Sequence, residues 1–173
     1  MLTSSLPEAI GSPRRPWRTH GEVSLPIDAS SEHLYDLVAD VASASTRSEE
    51  VQACVWLAGP PPGEVGSRFR GRNRSGVLRW SRACEVVTAV RAKEFAFQTV
   101  PERFDPLRRD SSVWGYLFEP EGTGTRVTHY YALLEPPQPW LLAFYGILTP
   151  HHMDPRPALR HTLERLKEAG KAP

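Results

Sequence analysis

At 173 residues, with 40% hydrophobic and 24% charged side chains, the chain has the length and composition of one globular domain with a sizeable core. A net charge of +1 gives no electrostatic reason to expect nucleic acid or an anionic membrane as partner. The two cysteines, Cys54 and Cys84, lack the spacing of a structural zinc site; they read as buried thiols in a reducing cytoplasm, with a mutual disulfide as the alternative.

Residues 1–16 are rich in Pro, Ser and Arg and show no periodicity, which predicts a disordered tail ahead of a single domain over 17–170. No apolar run there suits a secretory leader. The most hydrophobic stretch, Trp140–Leu148, is far shorter than the roughly 20 residues of a membrane span, so the expectation is a soluble, cytoplasmic protein. Residues 18–26 read as a first strand, with Val23 and Leu25 on one face. Pro26 ends it. Ser30 then offers a side-chain oxygen to the first amides of a helix over about 31–40, whose apolar stripe is Leu34, Leu37 and Val38. Residues 42–50 suit a short helix or a loop.

Strand-like runs follow. Val51–Leu57 is the first, and the three prolines within Gly59–Gly63 demand a turn after it. Ser67–Arg74 alternates strictly, with Arg68, Arg70, Arg72 and Arg74 on one side and Phe69, Gly71 and Asn73 on the other. Ser75-Gly76 turns the chain into Val77–Val87, where Leu78, Trp80, Cys84 and Val86 are in register. Glu94–Val100 carries Phe95 and Phe97; residues 101–110 read as an exposed loop; Ser112–Glu119 sets Trp114, Tyr116 and Phe118 on one face; Thr125–Leu134 follows a Gly-rich turn. Trp140–Leu148 predicts a short apolar helix. Asp154-Pro155 starts a last helix with Leu159, Leu163 and Leu166 as its stripe. Short turns between successive strands favour antiparallel pairing, and helices confined to the ends of a meander of about six strands make the class α+β.

The predicted inward faces carry Trp56, Phe69, Asn73, Trp80 and Phe95, then Phe97, Trp114, Tyr116, Phe118, His129 and Tyr131. Aromatic walls with a few polar tips are what small-molecule cavities look like, provided that helix and sheet are held apart.

Four stretches carry a family resemblance: VSLPIDASSEHLYDLVADV (Val23–Val41), VGSRFRGRN (Val65–Asn73), GTRVT (Gly124–Thr128) and TLERLK (Thr162–Lys167). Their order and spacing resemble the START-like (SRPBCC, Bet v 1-like) superfamily, and within it proteins of the polyketide cyclase/dehydrase type. The resemblance spans about residues 18–169. It implies a helix-grip fold, in which a curved antiparallel sheet of about six or seven strands wraps a long C-terminal helix around an apolar pocket. Members bind lipids, sterols, polyketides or plant hormones, and a few catalyse cyclisation or dehydration. Two departures stand out. Arg47 falls where the family often has a Trp, which makes that wall more polar or more open, and Pro155 and Pro157 interrupt what is usually one continuous helix.

Each candidate residue has a plainer reading beside the functional one. His129 and Tyr131, on the face of Val127, suit an acid/base or substrate-orienting pair; the plainer reading is a satisfied core histidine. Asn73 binds either a ligand oxygen or, slightly favoured, the backbone at Ser75-Gly76. Arg82 clamps a ligand carboxylate, pairs with a protein carboxylate or escapes through a bulge. The arginine stripe, with Arg79, reads as a solvated outer face. His151-His152 lacks a third metal ligand at recognisable spacing, so it reads as a surface loop and no metal is expected. Trp140–Tyr145 reads as a lid or core packing.

The sequence therefore predicts a cofactor-free binder of a small hydrophobic or aromatic molecule, lipid- or polyketide-like. Trp56, Phe69, Asn73, Trp80 and Phe97 line its pocket with Trp114, Tyr116, Tyr145, Leu159 and Leu163. The alternatives are a cofactor-independent cyclase/dehydratase in which His129, Tyr131 or Arg82 moves a proton, and a partner-binding module using the arginine stripe. Neither nucleic acid nor an integral membrane partner is expected.

Overall fold

Period-two alternation carries through into seven strands: β1 (His20–Ile27), β2 (Val51–Trp56), β3 (Arg68–Ser75), β4 (Leu78–Val90), β5 (Glu94–Thr99), β6 (Ser111–Glu121) and β7 (Gly124–Glu135). They form one antiparallel sheet in the order β1-β7-β6-β5-β4-β3-β2, so β2 to β7 are a simple meander and β1 returns to pair with β7. The computed structural model describes residues 18–102, 104–105 and 107–171, without the side chains at 144, 145, 148 and 150. The tail expected over 1–16 and the Tyr145 side chain lie outside that description.

Three helices accompany the sheet: α1 (Ser31–Ala39), α2 (Pro139–Leu148) and α3 (Arg156–Ala169). Ser30 caps α1 as expected, its Oγ accepting from the His33 amide at 3.2 Å. The buried stripe differs by one residue from the expected one. Tyr35 joins Leu34 and Val38 inside, while Leu37 is half-buried at its edge. Tyr35 wins that place because its ring meets Phe95 and Phe118 edge-on, each at 5.9 Å, between α1 and the strands beneath it. The segment at 42–50, open between helix and loop, forms a 3-10 turn over Val41–Thr46.

The last helix starts only after Pro155, which occupies the N-cap position without a capping side-chain bond, with Pro157 in its first turn. Leu159, Leu163 and Leu166 are at most 1% exposed. The helix packs on β1 and β7, while α1 covers β5 and β6. Between them lies a dry core that includes Ile27, Leu34, Val86, Phe95, Phe118, Val127, Leu163 and Leu166, all at most 3% exposed. Thr125 pins the entry of α1 to β7 by donating to the Ala29 carbonyl at 2.8 Å. Cys54 and Cys84 are both buried and free, and burial pushes the Cys84 thiol up to about 12. Among the described residues no helix is long and apolar enough to cross a membrane.

Candidate functional site

Direct pairing across the ladders fixes which side chains share the helix-facing side of the sheet. Trp56 lies opposite Phe69, and Phe69 opposite Cys84. Asn73 faces Trp80, Phe97 faces Trp114, Trp114 faces Tyr131, and Tyr116 faces His129. Partners directly across an antiparallel ladder point to the same face, so these aromatic residues form one surface together with Val86 and Phe95. Its rings interlock: Trp56 with Phe69 at 5.5 Å, Phe69 with Phe97 at 5.1 Å, and Trp114 with Tyr131 at 4.5 Å.

This surface is not uniformly covered. Phe95 and Val86 are fully shielded, and Phe69, Tyr116, Tyr131 and His129 are buried. Trp56, Asn73, Trp80, Phe97 and Trp114 stay only half-buried although they share the face that the helices cover. The interior thus has a dry end beneath α1 and a more open aromatic end that runs from β2, β3 and β4 to Phe97 on β5 and Trp114 on β6. A separate open groove, lined by Glu22, Ser24, Asp154, Arg156 and Arg160, touches none of these aromatic residues.

Polar groups punctuate the surface. His129 stacks flat on Tyr116, with ring centroids 3.9 Å apart and planes 5° from parallel. Its Nδ1 lies 2.9 Å from the Gly115 carbonyl, which can only accept, so Nδ1 carries the proton and Nε2 presents a lone pair. Nε2 has no hydrogen-bond partner among the described residues. Burial outweighs the Gly115 contact and lowers the imidazole to about 4, so the ring is neutral near pH 7. Burial likewise pushes the Tyr116 phenol up to about 12 against the pull of Arg47. The neighbouring Trp114 indole donates to Ser112 Oγ at 3.1 Å.

Arg47, which the sequence marked only as a departure at a Trp position, is 6% exposed. Its guanidinium donates to Ser43 Oγ at 2.8 Å and, at 3.5 Å, to the Asp40 carbonyl. No carboxylate forms an ion pair with it among the described residues. Burial pulls its proton affinity down, against the influence of Tyr116, Asp40 and Cys54; Tyr116 and Cys54 come from the helix-facing side of the sheet. A buried cation without a paired carboxylate is costly, so this is a place where an anionic group would be stabilised. No periodic pattern exposes such a residue in a sequence, because Arg47 falls just past the end of a 3-10 segment of only six residues, too short to show a repeat.

The remaining candidates divide. Arg82 lies across from Gly71 and takes the second of its three readings: it pairs with Asp110, Nη1 to Oδ1 at 2.8 Å and Nη2 to the Asp110 carbonyl at 2.6 Å. Contrary to the expectation from the sequence, Asn73 makes no bond to the Ser75-Gly76 turn among the described residues. Arg74 takes that role, its Nε donating to the Gly76 carbonyl, because alternation sends Arg74 and Asn73 to opposite faces. The Asn73 amide makes no side-chain hydrogen bond among the described residues. Leu159 and Leu163 are buried on α3. Of the outer arginines, Arg68 pairs with Glu85 and Arg70 with Glu102. His151 and His152 do have a nearby third ligand-type group in Glu50, which sequence spacing could not reveal.

Comparison with known proteins agrees with this architecture. Residues 18–169 match the family described as polyketide cyclase / dehydrase and lipid transport. No curated protein matches the chain. The fold is similar to that of TTHA0849 from Thermus thermophilus, with a TM-score of 0.65 at 19% identity, covering 87% of this chain and 96% of that one. It is also similar to major latex-like protein 151 from Panax ginseng, with a TM-score of 0.63 at 15% identity over 90% of this chain and 100% of that one. The di-domain ARO/CYC StfQ from the steffimycin biosynthetic pathway gives 0.66 at 12% identity; 87% of this chain matches 49% of that one. Seven antiparallel strands wrapped on a C-terminal helix, and a family match that spans nearly all of the described residues, place the chain in the polyketide cyclase / dehydrase and lipid transport family, with a Bet v 1-like helix-grip fold.

Proposed function

We propose that this protein binds a small aromatic or otherwise apolar molecule, lipid- or polyketide-like, against the open aromatic end of its helix-facing surface. One observation carries the reading: Trp56, Trp80, Phe97 and Trp114 remain half-buried on the side of the sheet where their neighbours are dry. Rings left in that state gain by covering a guest, at roughly 25 cal/mol for each Å² of apolar surface removed from water. Arg47 adds a preference. A guest with an acidic oxygen would supply the paired anion that the guanidinium lacks, and the Asn73 amide and His129 Nε2 offer further hydrogen bonds.

A matched pair of dyes tests this. Neutral N-phenylnaphthylamine should bind one per chain, with enhanced emission. Its anionic counterpart, anilinonaphthalene sulfonate, should bind about tenfold more tightly, the worth of one charge-assisted hydrogen bond. Arg47→Met should erase the preference while keeping the neutral dye, and Arg47→Lys should retain part of it. Failure of both dyes to bind would overturn the reading. An undiminished sulfonate preference in Arg47→Met would remove Arg47 from it.

The stacked His129–Tyr116 pair favours one second reading, a cofactor-independent cyclase or dehydratase in the same pocket. A base held near 4 is a weak proton acceptor at neutral pH, which supports binding over proton abstraction. His129→Ala should leave dye binding nearly intact. Turnover of a poly-β-ketone substrate by the parent protein, abolished in that variant, would establish the enzyme instead.

A further inference from the structure

Outside the aromatic surface, three side chains from distant parts of the chain converge at its rim. Glu50 immediately precedes β2, and His151 and His152 lie in the 3-10 turn Pro150–Met153 between α2 and α3. Both histidines aim the same atom at the same target: Nε2 of His151 is 2.9 Å and Nε2 of His152 is 2.7 Å from Glu50 Oε1. All three donor atoms lie within 4.8 Å of one another. The rings stand edge to face with centroids 4.4 Å apart, and His152 also packs in a T-shaped contact with Trp80 at 5.8 Å. Ser75 Oγ sits 3.2 Å from His151 Nε2.

From this geometry we infer a binding site for a borderline divalent metal of the zinc type, held by Glu50, His151 and His152. Two imidazole nitrogens and one carboxylate oxygen are a donor set that suits Zn²⁺, and three protein ligands leave a fourth position for water. Tetrahedral coordination at ordinary Zn–N and Zn–O lengths spaces the donors about 3.3 Å apart, so each nitrogen must draw back from Glu50 Oε1 by only about half an ångström, while the two nitrogens, within 4.8 Å of each other, need to close by no more than about 1.5 Å. Without metal, both Nε2 atoms compete for one carboxylate oxygen. With metal, that oxygen and both nitrogens become ligands; each neutral imidazole then carries its N–H on Nδ1, and a ring protonated on both nitrogens releases one proton to solvent. The carboxylate leaves the metal site with a residual charge of only +1. The bound ion would clasp the start of β2 to the turn that leads into α3, beside Trp80. It would fasten the rim of the aromatic end and take no part in anchoring a guest at Arg47.

Cobalt tests the site because four-coordinate Co²⁺ absorbs strongly in the visible region, whereas the hydrated ion is pale. The full chain, freed of metal with a chelator, should bind one Co²⁺ with an intense spectrum that Zn²⁺ bleaches. Zinc affinity should fall by more than about tenfold in Glu50→Gln and in His152→Gln, since loss of a ligand costs at least as much as loss of an outer-shell partner. Zinc should also raise the melting temperature of the parent chain and leave that of both variants unchanged. Circular dichroism separates loss of the site from loss of the fold. A pale spectrum with the parent chain would overturn the inference. So would variants that keep the parent's spectrum, which would put the metal elsewhere.

Discussion

The histidine on β7 shows how one residue's surroundings decide its chemistry. His129 is held with Nδ1 toward the Gly115 carbonyl, face to face with Tyr116, and its proton affinity is lowered to about 4 by burial. The unfolded chain has an ordinary histidine near 6.5. Its contribution to stability is therefore complete above about pH 6.5. It falls as the pH drops toward about 4, where the unfolded state takes up a proton that the folded state refuses, for a loss of about 3 kcal/mol. Urea denaturation at pH 7 and pH 4.5 should show the parent protein losing stability relative to His129→Gln over that interval; a constant difference would contradict the assignment. Arg82 gives a second test. Asp110 is its carboxylate partner, and the Arg82 Nε is buried without a partner of its own among the described residues. Asp110→Ala should cost about 3 kcal/mol in the same assay, with less loss if Arg82 is also replaced by Met. Alternation placed His129, Tyr131 and Asn73 on the correct face, but it could not show which partner Arg82 takes. Asp110 lies 28 residues downstream, across the sheet.

Among the elements, those with strong periodicity were legible. The stripe on α3 came directly from Leu159, Leu163 and Leu166, and Ser30 announced the start of α1. Tyr35 was not foreseen, because hydrophobic spacing favours Leu37 and only tertiary packing offers Tyr35 two aromatic neighbours. Leu163→Ala should cost about 2–5 kcal/mol, since Leu163 is fully buried within the core. Gly115 exposes a constraint on β6. Tyr130 lies over it on the way to Glu94, where its hydroxyl donates at 2.7 Å, and a Cβ on Gly115 would overlap that ring. Gly115→Ala should destabilise by about 1–3 kcal/mol, and truncating Tyr130 as well should relieve part of the loss. A double-mutant cycle by thermal denaturation reads both effects.

For the whole molecule, the meander of short-turned strands made the antiparallel α+β class readable, and the order of four family-like stretches made the helix-grip fold readable. The division of the interior was not. A sequence shows that aromatic rings face inward, but whether a helix dries them depends on where it lands. Here α3 rests on β1 and β7 and α1 on β5 and β6, and the aromatic end that runs from β2, β3 and β4 to Phe97 and Trp114 stays partly exposed. The Glu50–His151–His152 cluster was equally hidden, because its members are about a hundred residues apart in the chain and meet only in the folded state.

The central claim is that the half-buried rings at the open end receive a guest. Indole N–H resonances of the ¹⁵N-labelled protein, followed while N-phenylnaphthylamine is added to one equivalent, address it most directly. Signals of Trp56, Trp80 and Trp114 should shift and saturate together, while that of Trp140, 56% exposed on α2, should stay in place. Stationary signals from all three inward tryptophans, or movement confined to Trp140, would contradict the account.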